Sequence, residues 1–155
     1  MVKDAAEPLA NLIARYLAAA APRGAFEKFS AVPIPLSRRR ERARGFNQSA
    51  LIAKKVAEAL NVPFRPELLK RTRHATPQSE TASLAERAMN LRGCFAVPDT
   101  ALVRGARILL IDDVTTSGAT FLEAARALAA AGAEKIVACA AAKVDSAETM
   151  AAEKK

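Results

Sequence analysis

Two adjacent carboxylates, Asp112 and Asp113, followed at once by Thr115, Thr116, Ser117, Gly118 and Thr120, are the densest chemistry in this chain. They sit in the run Arg107-Ile-Leu-Leu-Ile-Asp-Asp-Val-Thr-Thr-Ser-Gly-Ala-Thr120. Ile108, Leu109, Leu110 and Ile111 form a continuous apolar stretch, the pattern of a strand covered on both faces in a parallel sheet. In open α/β sheets ligands collect at the carboxyl ends of the strands, which is where the acids fall. The hydroxyls and Gly118 then lead into a helical apolar pattern of Phe121, Leu122, Ala125, Leu128 and Ala129. Unpaired N–H groups and the positive dipole end of such a helix suit a phosphate dianion. Carboxylates beside a phosphate cradle repel its occupant unless neutral or cationic groups lie between them. Ribose hydroxyls and Mg²⁺ fit that gap, so the stretch reads as a pocket for a phosphorylated sugar. A helix cap would explain a single acid or hydroxyl. A receiver-type acidic pair would be expected near the start of a chain. Neither G-x-x-x-x-G-K-[ST] nor G-x-G-x-x-G occurs.

Positive charge is the second signal. The 155 residues have a net charge of +8, and positions 38–92 hold 13 Lys or Arg against 5 Asp or Glu, while the remainder holds 11 of each. The excess therefore lies in one segment, which suits a polyanion such as diphosphate or a nucleic-acid backbone. Solvated helix faces explain Lys54 and Lys55. They explain less well Arg38, Arg39, Arg40, Arg42 and Arg44, whose guanidinium forks match phosphate oxygens. Arg42 and Arg44 follow Glu41 by one and three positions and read equally as surface pairs. His74, the single histidine, reads as an exposed loop residue or as a general base. No serine stands in a nucleophile-elbow context.

The elements that would position these groups alternate between helix and strand. A helix is expected over about 4–20, with capping-box spacing at Asp4 and Glu7. A strand is expected over 29–36, where Pro33 and Pro35 force an extended exit, and the arginine run is expected as a loop. Asn47 is placed as an N-cap, with Phe46 and Leu51 as a hydrophobic staple; Leu51, Ile52, Val56, Ala59 and Leu60 would be the buried face of the next helix. Short strands near Leu68 and Leu69 and over 94–97 bracket a polar stretch with Thr76 and Gln78, read as a lid over about 71–86. Ser83 and Glu86 start a short helix that carries Arg87. Gly132 is placed as a helix stop, a last strand covers 136–141, and 144–155 reads as a tail.

This order argues for an open, mainly parallel α/β sheet with helices on both faces, in one domain over 1–155. Hydrophobic residues make up 51% of the chain, yet no apolar run reaches the ~20 residues of a membrane span, so no membrane insertion is expected. No secretory leader is recognised. Cys94 and Cys139 have neither zinc-ligand spacing nor a disulfide framework, which suits a reducing cytoplasm.

Positions 108–120 resemble the phosphoribosyl-pyrophosphate (PRPP) signature of type I phosphoribosyltransferases. Pro33-Ile-Pro-Leu36, the arginine run, Arg44-Gly-Phe-Asn-Gln48, Thr76-Pro-Gln78, Glu86-Arg87 with Asn90, and Gly93-Cys-Phe95 are similar in order and spacing to the ComF-like (competence protein F) branch of that family. The resemblance spans about 3–143. Members typically carry a Cys-rich, zinc-ribbon-like module ahead of the transferase domain; no zinc is expected in this chain.

By resemblance, Asp112 and Asp113 hold the ribose hydroxyls and act in catalysis. The loop of Val114, Thr115, Thr116, Ser117, Gly118, Ala119 and Thr120 holds the 5′-phosphate. Arg38, Arg39, Arg40, Arg44 and Arg87 face pyrophosphate or DNA, and Thr76 and Gln78 belong to the closing loop. Mg²⁺ enters with PRPP and takes no direct protein ligand. The resemblance implies a PRPP-dependent glycosyltransferase serving DNA uptake in natural transformation, with single-stranded DNA and the uptake machinery as partners in the cytoplasm. The alternative is a nucleobase phosphoribosyltransferase of nucleotide salvage. No stretch of sequence stands out as an acceptor pocket.

Overall fold

The structure, a computed structural model of the chain, describes residues 6–22, 24–72 and 92–144, and for 38–40 the backbone alone. Three parallel strands make the main sheet in the order β1-β4-β5, where β1 is Phe29–Pro33, β4 is Arg107–Thr115 and β5 is Lys135–Lys143. Phe64 adds a single parallel bridge on the far side of β1, through Ala31 N to Pro63 O (2.8 Å) and Arg65 N to Ala31 O (2.9 Å). The short strands β2 (Lys70–Arg71) and β3 (Phe95–Ala96) pair antiparallel in a separate ribbon.

The period-two alternation of β4 explains the layering. Leu109 and Ile111 face a layer built from α1 (Ala6–Ala20) and α3 (Gln48–Leu60), with Ile13, Leu17, Ile52 and Val56 in the same cluster. Ile108 and Leu110 face the opposite layer, formed by α4 (Ala119–Ala130) and the β2–β3 ribbon, with Leu69, Phe95, Val103 and Leu128. All four β4 residues are fully buried, so each successive side chain feeds a different core. Fully burying such side chains contributes about 1.5–3 kcal/mol each.

The chain leaves β1 toward Phe64 by way of α3 on one face, and leaves β4 toward β5 by way of α4 on the other. The winding therefore reverses between β1 and β4, and the crevice outside their carboxyl ends is the topological switch point of the sheet. The acids of β4 and the N-termini of α3 and α4 lie at that end.

Several local expectations shift. The arginine run is a seven-residue helix, α2 (Arg38–Arg44), instead of a loop. Arginine propagates a helix well, and the turn is closed by Glu41 N to Ser37 O (2.9 Å) and Gly45 N to Glu41 O (2.7 Å). Strand β1 ends at Pro33, short of the expected 36, although Ile34 N still bonds Ile111 O of β4 at 2.8 Å. In α3, Ala59 is exposed while Ala53 and Ala57 are buried; in α4, Leu122 is 71% exposed and Ala124 takes the buried position. Alanine-rich helices give a faint hydrophobic phase, so single positions differ while Ile52, Val56 and Leu128 are buried as expected. Gly132 ends α4 as expected: at φ 92° it sends its N–H to Ala129 O (2.9 Å), while Ala133 N bonds Leu128 O (3.1 Å), a Schellman closure.

Candidate functional site

Asn47 caps α3 by accepting Ser49 N at 3.1 Å, and its amide nitrogen donates to Ile34 O at 3.0 Å. That second bond pins the helix start to the exit of β1. It brings the buried Ser49 hydroxyl onto Asp112, with Oγ donating to Oδ1 at 2.6 Å across 63 positions of sequence. Asp112 Oδ1 also accepts the backbone N–H of Asp113 at 2.9 Å, and Asp113 Oδ1 accepts that of Val114 at 2.9 Å. Each carboxylate is thus held by the main chain immediately ahead of it.

The two acids differ in surroundings. Burial raises the Asp112 carboxyl to about 7; the Ser49 hydrogen bond opposes this and the Asp113 carboxylate adds to it. At neutral pH Asp112 therefore sits near its midpoint, where a positive charge or a set of hydroxyl donors would favour its ionised form.

Beyond the acids, β4 continues through Thr115, so Asp112 and Asp113 lie within the strand and the hydroxyl-rich turn starts at Thr116. Gly118 is the N-cap of α4 at φ 73°, a conformation that residues with a Cβ adopt at a cost. A Cβ there would meet no atom within 4 Å, so the space above the turn is open. Ser117 Oγ accepts Ala119 N at 3.4 Å, while the glycine cap brings no side chain to the other first-turn donors. Amide donors, flanking hydroxyls and open space together suit a phosphate oxygen.

Beside the turn lies a cavity of about 370 Å³, bounded by Thr116, Ser117 and Gly118, by Phe121 of α4, and by Ala138, Ala140 and Ala142 of β5, with Lys143 at its end. No residue of β5 stands out in the sequence as part of a site, because the alanines that open this space look like filler in a line of text. Their significance is that small side chains on an edge strand leave the turn uncovered.

Of the expected site residues, Asp112, Asp113, Val114, Thr115, Thr116, Ser117, Gly118, Ala119 and Thr120 come together at the carboxyl end of β4 and the start of α4. Arg38, Arg39, Arg40 and Arg44 fall on α2, which connects the exit of β1 to α3. His74, Thr76, Gln78 and Arg87 lie outside the described residues. The ends of that segment are joined: Thr72 N bonds Cys94 O (2.9 Å), Thr72 Oγ1 bonds Gly93 O (3.1 Å), and Gly93 N reaches Glu123 of α4 (2.6 Å). Ser49 was missed, since nothing in its neighbourhood announces a partner so distant in sequence. Among the described residues no cluster of three or more His, Cys, Asp or Glu could hold a metal unaided. No described helix is long and apolar enough to cross a membrane.

Residues 47–154 match the family model described as Phosphoribosyl transferase domain. The chain is 31% identical over 109 residues to Competence protein F of Haemophilus influenzae, covering 68% of this chain and 46% of that protein. It is 35% identical over 105 residues to DNA utilization protein YhgH of Escherichia coli, covering 68% and 45%. To Competence protein ComFC of Bacillus subtilis it is 38% identical over 101 residues, covering 64% and 38%. The chain spans less than half the length of these curated relatives.

Among solved structures, it superposes on the glutamine PRPP amidotransferase of Bacillus subtilis complexed with ADP and GMP at a TM-score of 0.58 and 20% identity, covering 90% of this chain and 26% of that one. It superposes on the phosphoribosylpyrophosphate synthetase of Mycobacterium smegmatis at 0.54 and 18%, covering 90% and 35%. At these identities the likeness is one of fold. With the acid pair, the glycine-capped turn and the switch-point crevice in that fold, the chain belongs to the phosphoribosyl transferase domain family, among relatives named for competence and DNA utilization.

Proposed function

We propose that the crevice at the ends of β1 and β4 binds PRPP and that this domain serves DNA uptake. The observation that supports this most strongly is the joining of an acid pair to a glycine-capped, hydroxyl-rich helix start, Asp112 and Asp113 with the turn at 116–118. In this reading the carboxylates accept the ribose hydroxyls and the turn holds the 5′-phosphate. Breaking the C1–diphosphate bond leaves a cationic sugar and an anionic leaving group, so anions belong near the ribose and cations near the diphosphate. Arg38, Arg39, Arg40 and Arg44 of α2, with Arg87, supply the cations. Mg²⁺ would enter with PRPP, its shell filled by ligand oxygens and water and not by a protein side chain, in keeping with the absence of a three-residue acidic, His or Cys cluster among the described residues. Mg²⁺ bound with PRPP would neutralise charge developing on the diphosphate.

The DNA side of the proposal draws on the relatives' names and on the concentration of positive charge in 38–92. Single-stranded DNA would meet those arginines through its backbone, as aromatic residues are only 5% of the chain. A cytoplasmic location and contacts with uptake-machinery proteins follow from the same reading.

A second reading, a nucleobase transferase of nucleotide salvage, is favoured by the cavity beside the phosphate turn, which has room for an acceptor. Pyrophosphate release from Mg²⁺-PRPP, with adenine, guanine, hypoxanthine, uracil, orotate or single-stranded DNA supplied in turn, separates the two. The DNA-uptake reading expects slow release with every base. Turnover with one base near ~1 s⁻¹ or faster, in the range of ordinary enzymes, would replace it with the salvage reading.

A further inference from the structure

The two oxygens of Asp112 have different surroundings. Oδ1 accepts the Ser49 hydroxyl at 2.6 Å and the Asp113 N–H at 2.9 Å; among the described residues, Oδ2 accepts no hydrogen bond from the protein. Ser49 is 2% exposed and stands in the first turn of α3, behind an N-cap that is itself tied to Ile34 O. Its hydroxyl is therefore held against β4 by backbone geometry and has no solvent to which it could turn.

Resting on the assignment of Asp112 to the ribose, we propose that Ser49 is a positioning residue of this site: its hydroxyl occupies one oxygen of Asp112 and so presents the other, with its charge, to the ribose diol. A buried carboxylate without that donor would rotate and would take up a proton more readily. The direction is consistent with the local electrostatics, where burial raises Asp112 to about 7 and Ser49 acts in the opposite sense. Asp113 is the ionisable neighbour acting on it, through a side-chain hydrogen bond between the two carboxyls and then through its charge, both of which favour the protonated form; β1 has no ionisable residue, and α3 brings the Ser49 hydroxyl to the carboxylate.

The test is calorimetric titration of the parent, Ser49→Ala, Ser49→Thr and Asp112→Asn proteins with Mg²⁺-PRPP between about pH 6 and about pH 9. A hydrogen bond to a charged group is worth roughly 1.5 kcal/mol or more, so Ser49→Ala is expected to bind about tenfold more weakly near neutral pH. That ratio should narrow toward the alkaline end, where Asp112 ionises even without its donor. The ligand's own phosphate titrates identically in every protein and cancels from the ratio. Ser49→Thr, which keeps a hydroxyl, is expected to bind within about threefold of the parent. Asp112→Asn is expected to bind weakly with no such pH dependence. A parent that binds, with a Ser49→Ala variant of the same affinity and pH midpoint, overturns the role of Ser49 alone. A Thr variant as weak as the Ala variant also overturns it, since packing and not the hydroxyl would then be responsible. A parent that fails to bind at any pH overturns the donor-site assignment together with it.

Discussion

Asp112 is a carboxyl whose value in the fold, about 7, lies above its ordinary 3.8, chiefly through burial. A group of that kind binds its proton more tightly in the folded chain than in the unfolded one. It therefore favours the fold most at low pH and progressively less as pH rises from about 4 to about 7, beyond which the whole cost of a buried carboxylate is present. Asp112→Asn is accordingly expected to stabilise the protein at about pH 8 by up to about 4 kcal/mol, at 1.36 kcal/mol per unit of displacement, and to change little at about pH 4. Urea unfolding at the two pH values checks this; an Asn variant less stable than the parent at the higher pH would contradict the burial argument. Gly118 makes the converse case. With open space at its Cβ and φ at 73°, Gly118→Val should cost only backbone strain, about 1–2 kcal/mol, yet place a side chain where the phosphate belongs. A folded Gly118→Val protein that still binds PRPP as the parent does would remove the turn from the site.

At the scale of elements, α3 is the joint of the site, because its cap fastens β1 and its first turn fastens β4. Asn47→Ala loses both the cap and the tie to Ile34 O, and is expected to cost about 1–2 kcal/mol in thermal or urea unfolding. A cost near zero would mean that the tie is replaced by water. Helix α2 is the element where electrostatics can be read most simply. Replacing Arg38, Arg39 and Arg40 with Ala should flatten the log–log salt dependence of single-stranded DNA binding by roughly two units if all three meet phosphates, at about 0.7 per phosphate. An unchanged slope would place the DNA elsewhere. The same elements show what could be read from the chain alone. Strand β4 was legible because four consecutive apolar residues and two acids admit few other arrangements, and Asn47 and Gly132 were legible because caps are local chemistry. The helicity of α2 was obscured by the uniform charge that made it conspicuous. The cavity beside the turn and the Ser49 contact were illegible, since both depend on segments that meet only when the sheet closes.

For the whole molecule, a sheet that winds in opposite directions from β1 and β4 leaves a crevice at its switch point, and the acid pair, the glycine-capped turn and the starts of α3 and α4 converge there. The arginines of α2 stand between β1 and α3, so the positive segment borders the same crevice in sequence, and PRPP and single-stranded DNA are expected to compete for it. The relatives are more than twice as long as the stretch they share with this chain, yet the acid pair and the glycine-capped turn proposed to hold the ribose and its 5′-phosphate both lie within the described residues. Binding of Mg²⁺-PRPP is therefore the property this domain should display by itself. At ligand near 100 times its dissociation constant, linkage adds about 2.7 kcal/mol to stability. Thermal unfolding of the parent with millimolar Mg²⁺-PRPP is the most direct measurement. The account predicts a shift of several degrees that vanishes when Asp112 and Asp113 are both replaced by Asn. A parent protein whose melting temperature does not move would contradict it.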